Sequence, residues 1–219
     1  MTKRNTNSPR GFENVTHMRF PGVGPYDIPQ IAPMAESCRP ERWIGINYLS
    51  RFKAPSIRQQ LAVHFFLDDY QFSRVWTVPH QYIPALQGFS AVCSPDFSLY
   101  ADMPLAMQIY NHYRKHWLGA YWQLYGVRVV PAIAWSTPDS YRWCYDGEPT
   151  HSTVAVSSVG SMGEKASRLL FISGYHEMVR RLQPAEVLFM GQVPGEVEQL
   201  APITKMDPFT RKFDEMRGK

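Results

Sequence analysis

The chain predicts an α/β fold: a single domain with a mostly parallel sheet of about five strands flanked by helices, preceded by an extended Pro-rich N-terminal arm. Three observations lead there. Short apolar runs of strand length, at Ala62–Leu67, Ala91–Cys93, Val127–Trp135, Thr153–Ser157 and Val187–Gly191, recur down the chain. Segments with helical patterning stand between them, the alternation expected of right-handed βαβ units. No Ser/Gly-rich linker or break in composition divides the 219 residues, which suffice for one full hydrophobic core. An open doubly wound sheet and a partial barrel satisfy these observations equally.

Residues 1–40 read as the arm, because Pro9, Pro21, Pro25, Pro29, Pro33 and Pro40 interrupt both helical and strand periodicity. Phe20, Ile28 and Ile31 are spaced through it, so it should pack across the domain, with only the first ten or so residues disordered. The α/β domain spans 41–205. Trp43–Leu49 is a strand or an ordered loop; the first clear strand, Ala62–Leu67, ends on Asp68-Asp69. Trp76–Gly88, broken by Pro79 and Pro84, predicts a short helix, and the buried strand Ala91–Cys93 empties into the polar segment Ser94–Pro104. Asp102 is placed as an N-cap with Pro104 in the first turn of a long helix, which runs to about Tyr125 and stops at Gly126. Strand Val127–Trp135 ends at Ser136-Thr137-Pro138-Asp139, a cap signal before a short aromatic helix, Tyr141–Tyr145, and the turn at Asp146-Gly147. Thr153–Ser157 exits through Ser158–Gly163 into an amphipathic helix, Glu164–Leu182, and Val187–Gly191 makes the fifth strand. Residues 206–219 form a basic tail.

The net charge of +4 permits an anionic partner, and much of the excess sits at the two ends, in Lys3, Arg4, Arg10, Arg211, Lys212, Arg217 and Lys219. Such ends are solvated tails or contacts to a phosphate backbone. Cys38, Cys93 and Cys144 are odd in number and lack zinc-site spacing, so neither a disulfide framework nor a structural zinc is expected. Neither a signal peptide nor an apolar run of membrane-spanning length is visible, and a soluble, cytoplasmic protein with no membrane partner is expected.

Between Phe65 and Gly160 the chain carries FFLDDYQFSRVW, SPDFSLYADMPLAMQIYNHYR, GAYWQLYGVRVVPAIAWS and CYDGEP followed by STVAVSSVG. These motifs, in this order, resemble the domain-of-unknown-function family 4417, which is scattered through phages, plasmids and bacterial genomes. The resemblance covers nearly everything beyond the arm. It implies no reaction, only an association with phage and mobile-element biology.

If the strands are parallel, Asp68 and Asp69, Asp96 and Ser98, Trp135 and Ser136, and Ser157 and Ser158 all fall at C-terminal strand ends and share one rim. Carboxylates there serve as general acid or base, ion ligands or stabilisers of a sugar cation. Asp96 is the leading catalytic candidate, since Asp102 already fills the capping role; Asp68 and Asp69 are candidates that would serve equally as a cap and turn pair. Phe97, Ser98, Tyr100, Trp135, Ser136 and Ser157 would hold substrate, joined from the long helix by Asn111, Arg114 and Trp122. Gly160 and Gly163 would free backbone N–H groups for an anion, yet no Walker lysine or dinucleotide fingerprint accompanies them. His112 and His116 have the i,i+4 spacing of metal ligands, but Tyr113-Arg114-Lys115 between them reads as an exposed basic face. No metal and no cofactor are therefore expected, and no nucleophile elbow supports Ser-His-Asp catalysis.

Acids without a histidine cluster, abundant aromatics and positive charge point first to a nucleic-acid-acting hydrolase. The reading is a DNA glycosylase-like enzyme in phage or mobile-element conflict, such as antiviral defence, in which aromatics sandwich an extruded base. A metal-dependent nuclease or phosphoesterase using Asp68, Asp69 and Asp96, and a non-catalytic nucleic-acid-binding module, are the alternatives. The aromatic stretch Trp135–Tyr145 would build a dimer interface as readily as a pocket, so oligomeric state is left open.

Overall fold

The computed structural model of the protein describes residues 20–34 and 38–209. After a short antiparallel pair, β1 (Gly22–Val23) and β2 (Ile28–Pro29), seven parallel strands follow: β3 (Arg42–Gly45), β4 (Leu61–His64), β5 (Ala91–Cys93), β6 (Val129–Val130), β7 (Thr153–Ser157), β8 (Glu186–Met190) and β9 (Ile203–Lys205). They form two ladders, β3-β4-β5-β6 and β7-β8-β9. Two single-residue parallel bridges, Ala132 to Ala155 and Trp43 to Pro208, join the ladders at both edges and turn them into a closed barrel. Backbone bonds seal each seam: Ile133 N–H donates to the Ala155 carbonyl at 2.8 Å, and Phe209 N–H to the Trp43 carbonyl at 2.7 Å.

The mostly parallel α/β architecture expected from the alternating runs is present, and of the two arrangements that fit the sequence the chain adopts the barrel. The strands β4, β5 and β8 are buried along their whole length, which is why they read as unbroken apolar runs and not as alternating ones. Among the described residues three helices of eight residues or more stand outside them: α1 (Pro79–Leu86), α2 (Leu105–Gln123) and α3 (Lys165–Leu182). The core falls into two clusters. Phe65, Phe72, Trp117 and Trp122 fill the side of β3–β6, and Phe171, Tyr175, Met178 and Phe189 pack β7 and β8 against α3.

The described part of the N-terminal segment packs as its spaced hydrophobics predict. Ile28 and Ile31 are buried, and Phe20 meets Trp117 edge to face. The segment crosses α2 at Gly119, where a Cβ atom would come within 2.7 Å of the Ile31 side chain. The expected disorder of the first ten residues, and the tail from 210 onward, lie outside the described residues.

Several local expectations are corrected. Val127–Trp135 is a strand only at Val129–Val130 with the bridge at Ala132, because Pro131 has no N–H to continue a ladder. The long helix begins at Leu105 with Pro104 at its N-cap, so Asp102 is not the cap; it stands exposed in the preceding turn. The chain past 205 continues the barrel wall, as Asp207 and Phe209 bond to Trp43. His112 and His116 do not lie on an exposed face: both are buried, and so is Lys115.

Candidate functional site

In parallel barrels the loops after the strands gather at one face, and this is where such folds carry chemistry. The loops after β4, β5, β6 and β7, with the first turns of α3, enclose a cavity of about 570 Å³ at that face. Its walls carry Asp68, Asp96, Phe97, Ser98, Tyr100, Trp135, Ser136, Ser157 and Gly160, so nine of the expected site residues meet there. Gln71, Ser161, Ser167 and Phe171 join them. No lysine, arginine or histidine lines it among the described residues.

Three expected residues stand behind the wall. Asp69 accepts from the Ser98 N–H at 3.1 Å and from the Ser98 hydroxyl at 2.9 Å. Asn111 on α2 donates to the Ser98 carbonyl at 2.7 Å. The Arg114 guanidinium lies 3.5 Å over the Phe97 ring and 3.6 Å from Asp69. Together they clamp Phe97-Ser98, the two residues after Asp96, from both backbone and side chain. Trp122 is corrected outright: it is fully buried and stacks on Phe65 in the core, because the second half of α2 is buried all round.

Asp96 and Asp68 are the two carboxylates that line the cavity, Asp96 the less exposed of them. Withdrawal from water pushes the Asp96 pKa up to about 7; nearby Lys115 opposes that rise, and the charge of Asp69 adds to it. Asp68 is exposed at the rim, with Gln71 donating to it at 3.4 Å. Asp69 is turned toward Ser98 and Arg114, so the three acids do not converge as the ligands of one ion. The group of three placed to share an ion is a different one, His112, His116 and Glu148, outside the cavity lining.

Trp135 lines the cavity from the loop after β6. Its indole lies on α3 at Gly174, where a Cβ would sit 2.1 Å from the ring, and it packs on Phe171 at 5.3 Å between centroids. Ser136 is 5% exposed and its hydroxyl has no partner within the protein. Gly160, at φ 81°, turns the loop between β7 and α3. Ser167 and Phe171 were not singled out from the sequence, yet they had a signal: they are four apart on the helix that starts at this rim.

The model of the family described as a domain of unknown function (DUF4417) matches residues 20–207. The chain belongs to this family. Among curated relatives, the "Gene 1 protein" of Mycobacterium phage D29 is 40% identical over 181 residues, which cover 80% of this chain and 64% of that protein. The "Gene 1 protein" of Mycobacterium phage L5 is 39% identical over 181 residues, covering 80% of this chain and 76% of that one. The chain thus spans a little under two thirds of the D29 relative. No solved structure matches it. No described helix is long and apolar enough to cross a membrane.

Proposed function

We propose that the cavity is the active site of a hydrolase that takes a nucleobase extruded from DNA and cleaves its N-glycosidic bond, in the cytoplasm and in phage or mobile-element conflict. The observation that carries this is the pairing of Asp96, its pKa near 7, with aromatic walls in a cavity without a cationic lining residue. Phosphoryl transfer calls for cations around the reacting phosphate, whereas a nucleobase calls for rings to stack on and hydrogen-bonding edges. Trp135, Phe171 and Tyr100 supply the rings, and Ser98, Ser136 and Ser157 the hydroxyls. All three cysteines are free and buried, in keeping with a reducing compartment.

In this reading, protonated Asp96 donates its proton to the departing base nitrogen as the bond from C1′ to nitrogen breaks. Water attacks the resulting oxocarbenium carbon and loses a proton to Asp68, and solvent returns a proton to Asp96. The products are a free base and an abasic sugar. Asn111, Arg114 and Asp69 act indirectly, by fixing Phe97-Ser98. The positive charge that the sequence concentrates at its two ends suits contacts to phosphates.

The test is end-labelled DNA with normal and modified bases, incubated with the protein and resolved on denaturing gels before and after alkali. Breaks that form only after alkali, and vanish with Asp96→Asn, support the reading. Direct breaks abolished by chelator overturn it in favour of a nuclease. No breaks on any substrate, with binding that Asp96→Asn leaves intact, overturn it in favour of a binding module.

A further inference from the structure

A second group of chemically capable side chains, independent of the cavity reading, lies where α2 meets the N-terminal segment and the turn after Tyr145. His112 and His116 are 1% and 0% exposed, and the Glu148 side chain is 0% exposed. Each offers a ligand atom, and all three atoms lie within 4.8 Å of one another.

The hydrogen bonds around them fix where the lone pairs point. His112 Nε2 meets the Asp146 carbonyl at 3.0 Å, and His116 Nδ1 meets the Pro29 carbonyl at 2.9 Å. A carbonyl oxygen only accepts, so each of these nitrogens carries the ring's N–H in a neutral imidazole, leaving His112 Nδ1 and His116 Nε2 with lone pairs. His116 Nε2 then stands 2.9 Å from Glu148 Oε1, itself an acceptor. His112 Nδ1 and Glu148 Oε2 are buried without a hydrogen-bond partner. Lys115 Nζ reaches Oε1 at 2.5 Å and the Ala132 carbonyl at 2.9 Å, which leaves those two atoms unanswered. Acceptors gathered in a space closed to water require a positive centre between them.

We propose that His112, His116 and Glu148 bind one divalent metal ion of the zinc type. Two imidazoles, each donating its other N–H to a backbone carbonyl, are the arrangement that orients metal-binding histidines, and a carboxylate that binds through both of its oxygens brings the borderline donor set to four atoms. Ligand atoms of different residues around an ion with bonds of about 2 Å stand roughly 3.3 Å apart, so the widest pair has to close by at most about 1.5 Å. Lys115 moves off Oε1 as the ion arrives and keeps the Ala132 carbonyl. The site is closed to solvent, and its work is structural. Through Pro29, α2 and Glu148 it fastens the N-terminal segment to the barrel. This departs from the sequence expectation of no metal, which rested on an exposed setting for the two histidines.

The competing occupant of the same space is a proton, which would make His116 an imidazolium between Glu148 and Pro29. The experiment refolds the full chain from denaturant in chelator, removes the chelator, and adds Zn²⁺ or Co²⁺ at pH 7.5. One Zn²⁺ per chain by elemental analysis, tetrahedral Co²⁺ visible bands and a Tm raised by about 10 °C are expected. His112→Gln and Glu148→Gln should each lose the stoichiometric metal and the Tm rise, whereas Asp68→Asn keeps both. A wild-type chain that retains no metal and shows neither bands nor a Tm shift overturns the proposal and assigns the space to the proton. Stoichiometric binding that survives both substitutions overturns it too. If a variant fails to fold, the Co²⁺ spectrum of the wild-type chain decides between metal and proton.

Discussion

Asp96 and Glu148 are carboxylates withdrawn from water near the same lysine, and their proton affinities move in opposite directions. Burial raises both. At Glu148 the Lys115 ammonium bonds the carboxylate directly, at 2.5 Å, and holds its pKa below the ordinary value. At Asp96 the same lysine acts only through space, and burial wins. A carboxylate answered by a bonded partner is part of the scaffold. One whose pKa lies near neutrality on the wall of a cavity is free to exchange protons with whatever enters.

The comparison breaks most visibly at Lys115. Lys115→Met leaves the Glu148 charge buried beside a single histidine and should cost about 4 kcal/mol in chelator. Urea denaturation measures it. The double variant with Glu148→Gln should recover most of that loss, because removing both members of a buried pair is far cheaper than removing one. Equal losses in single and double variants would mean that Lys115 serves packing and not charge.

Asp96→Asn should behave in the opposite way. A native carboxyl with its pKa raised from 3.8 to about 7 holds a proton that the unfolded chain has released. Folding stability therefore falls as pH rises through that window and stays low above it. The amide does not titrate, so Asp96→Asn should match the wild type near pH 4 and exceed it by about 4 kcal/mol above pH 7. Denaturation curves across pH 4–8 check this. Base release, if Asp96 is the general acid, should fall by about 100-fold or more in the same variant.

The Trp135 wall is tested at Gly174. A methyl group there would overlap the Trp135 indole, so Gly174→Ala should drive the ring toward the cavity at a cost of about 2 kcal/mol. Denaturation and a shift in tryptophan emission report it. Stability at the wild-type level with unchanged emission would show that α3 yields instead of the ring.

What the sequence disclosed follows from the range of the interactions involved. Asp96, Ser98, Trp135 and Ser157 were legible because each stands within a few residues of an apolar strand, and parallel connectivity then places them on one rim. Barrel closure was not, because it rests on Pro208 meeting Trp43 and on β9, whose Ile203-Thr204-Lys205 is only half-buried and no apolar run. Lys115 misled for the same reason. Lysine is buried only when paired, and its partner Glu148 comes 33 residues later, so nothing local distinguished it from a surface residue. Trp122 sits where α2 is buried on every side and periodicity no longer separates a core face from a rim face.

The smallest expected effect concerns the clamp that links the two regions. Arg114 stacks 3.5 Å from Phe97 and faces Asp69 at 3.6 Å, so its charge and its plane both bear on the segment after Asp96. Arg114→Lys keeps the charge and loses the flat guanidinium, which should cost about 1 kcal/mol. Arg114→Met keeps much of the stem and loses the charge as well. If the clamp works by stacking, the two variants should be equally destabilised and should loosen the cavity wall alike, read as equal losses in base release. If it works by the ion pair, lysine should preserve what methionine loses, and Asp69→Asn should reproduce the methionine variant. Either result ranks Phe97 against Asp69 as the residue through which α2 holds the loop after β5, since the backbone of Ser98 is common to both.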